Sequence, residues 1–486
     1  MALSEHMFFL DPEATGSLQM QIRQIVASAI LSGRFRVGEK LPSSRKLAAH
    51  LGISRITVTL AYQELMADGY IASSGRSGYF VADTAPSPQP RPRAGRRQGP
   101  PVAWERFVEE RYSGARTVAK PLDWQKYRYP FIYGQADPGL FNHSAWRACA
   151  HRALGRRDFT SLTTDYAEAD DPELVNFIAR QTLPRRGIDA RPEEILITMG
   201  AQNALWLVAE ILLSRGTAAV IEEPGYPGLR EILTHRKCRT VPLQVDDRGL
   251  PPKLIPEGTG LVFATPSHQA PTTVTMPMRR RHRLLRLAAE RDFLIVEDDY
   301  EFEMSFLKPP TPALKSLDTG GRVIYIGSFS KSLFPGLRLG YLVGPENLIR
   351  EARGLRSIVL RHIPGHIQRT TAYFLGLGHY DALVRRMREA FQKRREAMAR
   401  AIDRYGLSPV HRSVFGGTSF WMEAPAGTDT ADLAETLKRD GVLIEPGTAF
   451  FHGENPPRNF YRLAYSSIPA ERIDAGVALI ANACGV

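Results

Sequence analysis

Residues 84–103 read TAPSPQPRPRAGRRQGPPVA, a tract rich in proline and arginine with no acidic residue and no apolar periodicity. Such a tract cannot bury enough apolar surface to offset the entropy of ordering it, and proline biases it towards extended geometry. At about 3.1 Å per residue it reaches roughly 60 Å. A chain interrupted in this way does not close round one core. It folds as one unit before the tract and another after it, and its 486 residues are enough for both,. We expect an N-terminal domain over 1–83, a linker over 84–110 and a second domain over 111–486. The linker is long enough to place the first domain over a neighbouring subunit. Its arginines, Arg91, Arg93, Arg96 and Arg97, are read first as a solvated spacer and second as phosphate contacts.

Before the tract, helix signals come in quick succession. Ser17 precedes Ile22, Ile25, Val26, Ala29 and Ile30 at helical spacing, and Gly33 ends that run,. Leu41-Pro42-Ser43-Ser44 opens a second helix carrying Leu47, Ala48 and Leu51. Gly52 makes a turn, Ser54 caps a third helix with Val58, Ala61 and Leu65 inward, and Gly69 stops it,. Tyr70-Ile71-Ala72 and Tyr79-Phe80-Val81 then read as a hairpin around Ser73 to Gly78,. Helix, tight turn, helix, hairpin is the order of a winged helix-turn-helix.

After the tract, apolar, β-branched runs alternate with helical stretches. The strand candidates are 194–198, 219–221, 260–263, 293–296 and 323–326, as in a mostly parallel sheet covered on both faces,. Four separated features accompany them. Gly327-Ser328-Phe329-Ser330-Lys331 follows a β-run and precedes Leu337-Arg338-Leu339-Gly340-Tyr341. A lysine there can form a Schiff base with an aldehyde, and the hydroxyls and Arg338 can neutralise a phosphate. Glu297-Asp298-Asp299-Tyr300 closes an apolar strand, where a carboxylate can hold a pyridinium proton and a tyrosine two residues on can reach a phenolic oxygen,. Gly200-Ala201-Gln202 lies between a strand and an apolar helix, a place where helix-start amides bind phosphate,. Arg462, in Tyr461-Arg462-Leu463, can clamp an acid bidentately,. Each feature alone is weak; their joint order is not.

The first 83 residues resemble the GntR-type winged helix, and the whole chain resembles the MocR/GabR family, in which that module is fused to a fold-type-I aminotransferase-like domain. Phe131-Ile132-Tyr133-Gly134 with Asp137, Phe141 and Trp146, then Glu223-Pro224-Gly225-Tyr226, then Thr265-Pro266-Ser267-His268-Gln269, carry the second resemblance. It implies pyridoxal 5'-phosphate as cofactor, with Lys331 as the Schiff-base lysine, Asp298 at the pyridine nitrogen and Tyr300 at the phenolic oxygen. By the same resemblance, Ser328, Ser330, Ala201, Gln202 and Arg338 surround the phosphate and Tyr226 stacks on the ring. His268 and Gln269 lie near the ring, and Arg462 holds the effector acid. On the DNA side, Ser54, Arg55, Thr57 and Thr59 begin the recognition helix, Arg45 meets backbone phosphate, and Gly75 in the wing approaches the minor groove. Arg55 can pair bidentately with guanine. One stretch departs from the family pattern: Tyr166-Ala167-Glu168-Ala169-Asp170-Asp171-Pro172 stands where a Tyr-Gly pair and a glycine-containing run are usual. Tyr166 is the candidate contact to a partner subunit's phosphate. With Leu183-Pro184-Arg185-Arg186-Gly187-Ile188, this departure looks most like the branches controlling use of taurine or ectoine-derived amino acids.

Composition narrows the setting. The net charge of +12 favours a polyanionic partner, yet residues 1–83 hold eight Lys/Arg against seven Asp/Glu. Specific affinity for double-stranded DNA therefore calls for two copies, a homodimer on paired half-sites. Three separated cysteines fit a reducing compartment without disulfides,. The start of the chain lacks the pattern of a signal peptide, and 204–213, the most apolar run, is too short to span a bilayer, so a cytoplasmic protein without a membrane partner is expected,. The leading expectation is a transcription regulator that senses an amine, an amino acid or amino-sulfonate such as taurine, an ectoine-derived diamino acid or GABA, through exchange at Lys331. The alternatives are a catalytically active aminotransferase with an accessory DNA-binding domain, and a DNA-binding protein whose second domain holds no cofactor.

Overall fold

Serine side chains start the helices of the N-terminal unit. In the computed structural model, Ser17 Oγ accepts from the Met20 amide at 3.2 Å at the head of α1 (Leu18–Leu31). Ser43 does the same for Lys46 at 3.3 Å before α2 (Ser44–Leu51), and Ser54 for Ile56 at 3.2 Å before α3 (Arg55–Ala67). Each cap satisfies an amide that a helix start leaves without an intrahelical partner. Between α2 and α3, Gly52 takes φ 66°, a left-handed conformation that a side chain disfavours,. The tight turn brings Ile22, Val26, Leu47, Val58, Ala61 and Leu65 into one core. Strands β1 (Ile71–Ser73) and β2 (Tyr79–Val81) pair antiparallel, Ile71 opposite Val81, to form the wing.

The structure describes residues 3–14, 16–86, 103–108, 118, 120–165 and 167–486. Most of the expected linker, with its four arginines, and Tyr166 lie outside the described residues. Backbone contacts divide the chain into Met1–Glu109 and Glu110–Val486. Among the described residues, no helix is long and apolar enough to cross a membrane.

The second unit begins with the short strand β3 (Tyr129–Pro130). Seven strands then build its central sheet: β4 (Ile195–Thr198), β5 (Ala218–Glu223), β6 (Arg239–Gln244), β7 (Thr259–Ala264), β8 (Leu294–Asp298), β9 (Val323–Ser328) and β10 (Gly340–Val343). Their spatial order is β4-β10-β9-β8-β7-β5-β6. All neighbours run parallel except β10, which is antiparallel to both β4 and β9. The expected mostly parallel sheet is present, and each expected strand lies in it. Strands β6 and β10 were not expected. The first is an edge strand that alternates exposed and half-buried residues and contains Pro242, so it lacks a buried run,. The second opens on Gly340 and has only four residues.

Continuous apolar runs fit because both sheet faces are covered. Ile195 and Ile197 pack into the core on one side, and Leu196 into the core on the other, beneath helix Ala201–Leu212. A smaller antiparallel sheet follows from β11 (Ser408–Pro409), β12 (Ser419–Glu423), β14 (Glu445–Pro446) and β15 (Phe460–Ala464), in the order β11-β12-β15-β14, while β13 (Val442–Leu443) pairs with β3.

The departure at 166–172 turns structural at its acidic end. Asp170 is buried, takes charged bonds from Arg356 at 2.6 Å and Arg353 at 2.8 Å, and accepts the Ile197 amide. Asp171 caps helix Pro172–Phe177 and pairs with Arg369 at 2.7 Å.

A candidate cofactor cavity and a candidate DNA-reading surface

The ends of β4, β8 and β9, with the turns after them, face one cavity of about 330 Å³ in the second unit. Lys331, Asp298, Tyr300, Ala201, Gln202, Tyr226, Ser328, Ser330, Arg338 and Arg462 all line it, together with Lys120, Tyr133 and Phe450. Crevices beyond the carboxyl ends of parallel strands are where open α/β sheets bind ligands.

Strand pleating decides which acid of the Glu297-Asp298-Asp299 run faces the cavity. Successive side chains alternate, so Asp298 and Tyr300 share one side while Glu297 and Asp299 point behind it. Glu297 accepts the amides of Leu314 and Lys315 at 2.7 and 2.8 Å. Asp299 receives Arg186 Nε at 2.7 Å and the Tyr325 hydroxyl at 2.9 Å. Asp298 is different: no described residue donates a hydrogen bond to either of its oxygens, and Oδ1 is buried. Burial, reinforced by the Asp299 and Glu222 carboxylates, pushes Asp298 up to about 7. The same burial, with the Lys120 charge next, pulls Lys331 down to about 7, against the opposing pull of Glu301. Lys331 Nζ sits 4.3 Å from the centre of the Tyr133 ring. Gly134 takes φ 72°, a left-handed conformation that a side chain disfavours, and a Cβ on it would stand 2.5 Å from Lys331 Nζ and displace the lysine tip,.

The opposite end of the cavity is an anion cradle. Helix Ala201–Leu212 starts after Gly200 (φ 77°) and presents its first-turn amides,. Arg338 holds a left-handed φ of 51° and reaches back so that Nη2 lies 3.4 Å from the Met199 carbonyl, over Gly200. Buried Ser328 and Ser330 complete the rim, with Ser328 Oγ accepting the Ser330 amide at 3.2 Å. The Tyr226 hydroxyl donates to Gln202 Oε1 at 3.3 Å.

Arg462 lies on β15 opposite Glu445 of β14, and its Nε donates to Glu445 Oε2 at 2.7 Å. Its guanidinium is stacked between Tyr133 (4.1 Å) and Phe450 (4.7 Å). Lys120 Nζ pairs with the other Glu445 oxygen at 3.3 Å and donates to the Tyr133 carbonyl. Neither Lys120 nor Glu445 was singled out from sequence. They meet Arg462 only through tertiary folding, and no local spacing announces them.

Two expected neighbours of the ring do not line this cavity. His268 is buried, with both ring nitrogens unpartnered among the described residues, and burial drives it down to about 4. It lies beside Gly417, whose Cβ would stand 3.7 Å from His268 Cδ2. Gln269 is wholly engaged: Nε2 donates to Glu222, Pro224 O and Ala270 O, and Oε1 accepts from Thr272. Ala270 lines the cavity in its place.

On the first unit, Arg45 and Arg55 are exposed on the opening turns of α2 and α3, and Arg55 Nε donates to Ser44 Oγ at 3.3 Å. Ser54 spends its hydroxyl on the cap. The Thr59 hydroxyl donates to the Arg55 carbonyl at 2.9 Å, and Thr57 is half-buried. Gly75 (φ 45°) stands in open space at the wing tip. Ile56, exposed between Arg55 and Thr57, was not singled out from sequence.

Two family profiles match: bacterial regulatory proteins of the gntR family over residues 18–81, and aminotransferase class I and II over residues 143–480. The chain is 55% identical to the HTH-type transcriptional regulator TauR of Rhodobacter capsulatus over 486 residues, 99% of this chain and 100% of that protein. It is 32% identical to the "Probable rhizopine catabolism regulatory protein MocR" of Rhizobium meliloti, covering 97% of this chain and 94% of that protein. Among solved structures it is similar to the α-aminoadipate aminotransferase LysN of Thermus thermophilus, complexed with N-(5'-phosphopyridoxyl)-L-leucine. There the TM-score is 0.71 at 27% identity, over 79% of this chain and 98% of that one. The winged helix, the mostly parallel sheet and these full-length matches agree: the chain belongs to the MocR-type transcriptional regulators, in which a GntR-family DNA-binding domain is joined to a class I and II aminotransferase domain.

Proposed function

We propose that the second unit holds pyridoxal phosphate at Lys331 and uses it to sense a small acidic amine, an amino-sulfonate such as taurine before others, and so to set DNA binding. The observation that carries this reading is Asp298. Asp298 faces the cavity with a buried, partnerless oxygen and is raised to about 7, so a cationic or proton-bearing group bound there would compensate it,. A protonated pyridine nitrogen is such a group. The phosphate then falls to the amides of Ala201 and Gln202, the Ser328 and Ser330 hydroxyls and Arg338. Tyr300 is the donor to the phenolic oxygen, and Tyr226 covers the ring. When bound, the cofactor supplies an aldehyde that condenses with primary amines.

The chain's own residues make that chemistry responsive at neutral pH. Lys331, lowered to about 7, is available as a neutral amine and is readily displaced by another amine,. Arg462, held in plane by two aromatic rings, offers its terminal nitrogens to the effector's acid group,. Identity of 55% with TauR, together with the sequence departure at 166–172, supports the amino-sulfonate choice. We further propose a cytoplasmic homodimer on paired half-sites, with domains 1–83 and 111–486 joined by the linker 84–110. In it, Arg55, Ser54, Thr57 and Thr59 meet the major groove, Arg45 a phosphate and Gly75 the minor groove.

A spectral screen of the cofactor-loaded protein against ω-amino acids, amino-sulfonates and diamino acids tests the proposal. The expected result is an absorbance change with one class only, on a cofactor band that the Lys331→Ala protein lacks. Steady turnover of amino donors at about 1–1000 per second would instead assign the domain to enzymatic transamination.

A further inference from the structure

We infer that Lys120 is a second anion-recognising residue of the effector cavity, acting with Arg462 to prefer a sulfonate over a carboxylate; this rests on the effector reading above. Two cations share one acid in that corner. Arg462 Nε takes one oxygen of Glu445 at 2.7 Å, and Lys120 Nζ approaches the other at 3.3 Å. Glu445 is fully buried and the two cations largely so, with side-chain exposures of 9% for Arg462 and 25% for Lys120. Glu445 is the one acid paired to both cations among the described residues; the next acid, buried Glu301, is bonded to Thr418 and is shared with Lys331. Two cations on one paired carboxylate in a buried corner favour an anionic head group.

Counting donors gives the head group its shape. An ammonium carries three protons. Lys120 donates one to the Tyr133 carbonyl and lies 3.3 Å from Glu445 Oε1 as an ion pair, which leaves at least one open. Arg462 commits Nε to Glu445, and no described residue accepts from its two terminal nitrogens. Stacking between Tyr133 and Phe450 fixes the plane in which those nitrogens donate. A planar carboxylate is satisfied by the guanidinium edge alone. A sulfonate is pyramidal, with a third oxygen out of that plane, and the open Lys120 proton supplies the third donor from a different element of the fold. Lys331 and Arg462 both lie within 4.3 Å of the same Tyr133 ring, so a short spacer separates the amine end of the effector from its acid end.

The test compares the cofactor-loaded wild-type protein with Lys120→Met and Lys120→Gln. Taurine and β-alanine are titrated by absorbance. Ethanesulfonate and propionate, which have no amine to condense, are titrated by calorimetry. The expected result is a loss of about tenfold in affinity for both sulfonates in each variant, the scale of one charge-assisted hydrogen bond, with carboxylate affinities falling by no more than about threefold. Lys120→Gln can still donate to Tyr133, so it guards against a folding defect in Lys120→Met. Equal losses for sulfonates and carboxylates would show that Lys120 only holds Tyr133 and Glu445 in place, and no loss would remove it from the site; either overturns the inference. A wild-type protein whose absorbance ignores every amine overturns the sensor reading itself and this inference with it. A responsive wild type with unselective variants overturns only the role of Lys120.

Discussion

Replacing Asp298 with asparagine separates what this residue does for the cofactor from what it does to the fold. In the cofactor-free protein its carboxyl is raised from 3.8 to about 7. A group whose folded-state pKa lies above its unfolded value binds its proton more tightly when folded. Stability is then fully present below about pH 4 and is lost as pH rises through 7. Each unit of pKa is worth about 1.4 kcal/mol, so a shift of about three units withdraws about 4 kcal/mol by pH 8. Asparagine keeps the shape and carries no charge to desolvate. The cofactor-free Asp298→Asn protein is therefore expected to gain stability relative to wild type as pH rises, by about 3 kcal/mol between pH 4.5 and 8. Urea unfolding at the two pH values measures this, and taking the difference between variant and wild type cancels the titrating groups that do not interact with residue 298,. The same variant is expected to bind pyridoxal phosphate at least about tenfold more weakly, because the ring nitrogen loses its ionic partner. A stability difference that does not change with pH, or cofactor affinity equal to wild type, would refute the reasoning.

The other consequences are simpler. Asp170→Ala leaves Arg356 buried without its ion-pair partner and is expected to destabilise the second unit by about 3–5 kcal/mol in denaturant titration,; a change under about 1 kcal/mol would mean that the pair is dispensable. Arg55→Ala is expected to cost about 1–3 kcal/mol of operator binding and to relax base preference at one position of each half-site. Arg45→Ala is expected to weaken binding evenly across sequences and to lower the salt slope by about one, both read from binding isotherms at several salt concentrations.

What could be read from the sequence, and what could not, divides along contact distance. The serine caps of α1, α2 and α3 act within three residues, so the winged helix was legible almost residue by residue. Strands β4, β5, β7, β8 and β9 announced themselves because both sheet faces are buried; β6, on the edge, did not. Lys331, Asp298, Tyr300 and Arg338 sit at strand ends or turns, where backbone geometry alone brings them to one crevice. Lys120 and Glu445 come from segments far apart in the chain, and they meet around Arg462 only through tertiary folding. His268 shows the converse limit. Its loop is at the cavity, but the ring packs beside Gly417, and Ala270 forms the wall instead.

The acidic run 297–299 makes the same point at finer scale. Three adjacent carboxylates look equivalent in sequence, yet the pleat gives two of them structural partners and leaves one facing the cavity. On the proposed reading, a site that leaves Asp298 uncompensated trades stability for binding, and the bound cofactor would restore the balance that an incoming amine reads.

The central claim is that amine occupancy of this cavity changes DNA binding. Fluorescence anisotropy on the DNA upstream of the protein's own gene tests it most directly, comparing the protein without cofactor, with pyridoxal phosphate, and with pyridoxal phosphate plus taurine. We predict that taurine shifts the affinity of the cofactor-loaded protein by at least about fivefold, the lower end of ordinary allosteric coupling, and that Lys331→Ala abolishes the shift. Identical isotherms in all three states, recorded while absorbance shows the amine bound, would contradict the account.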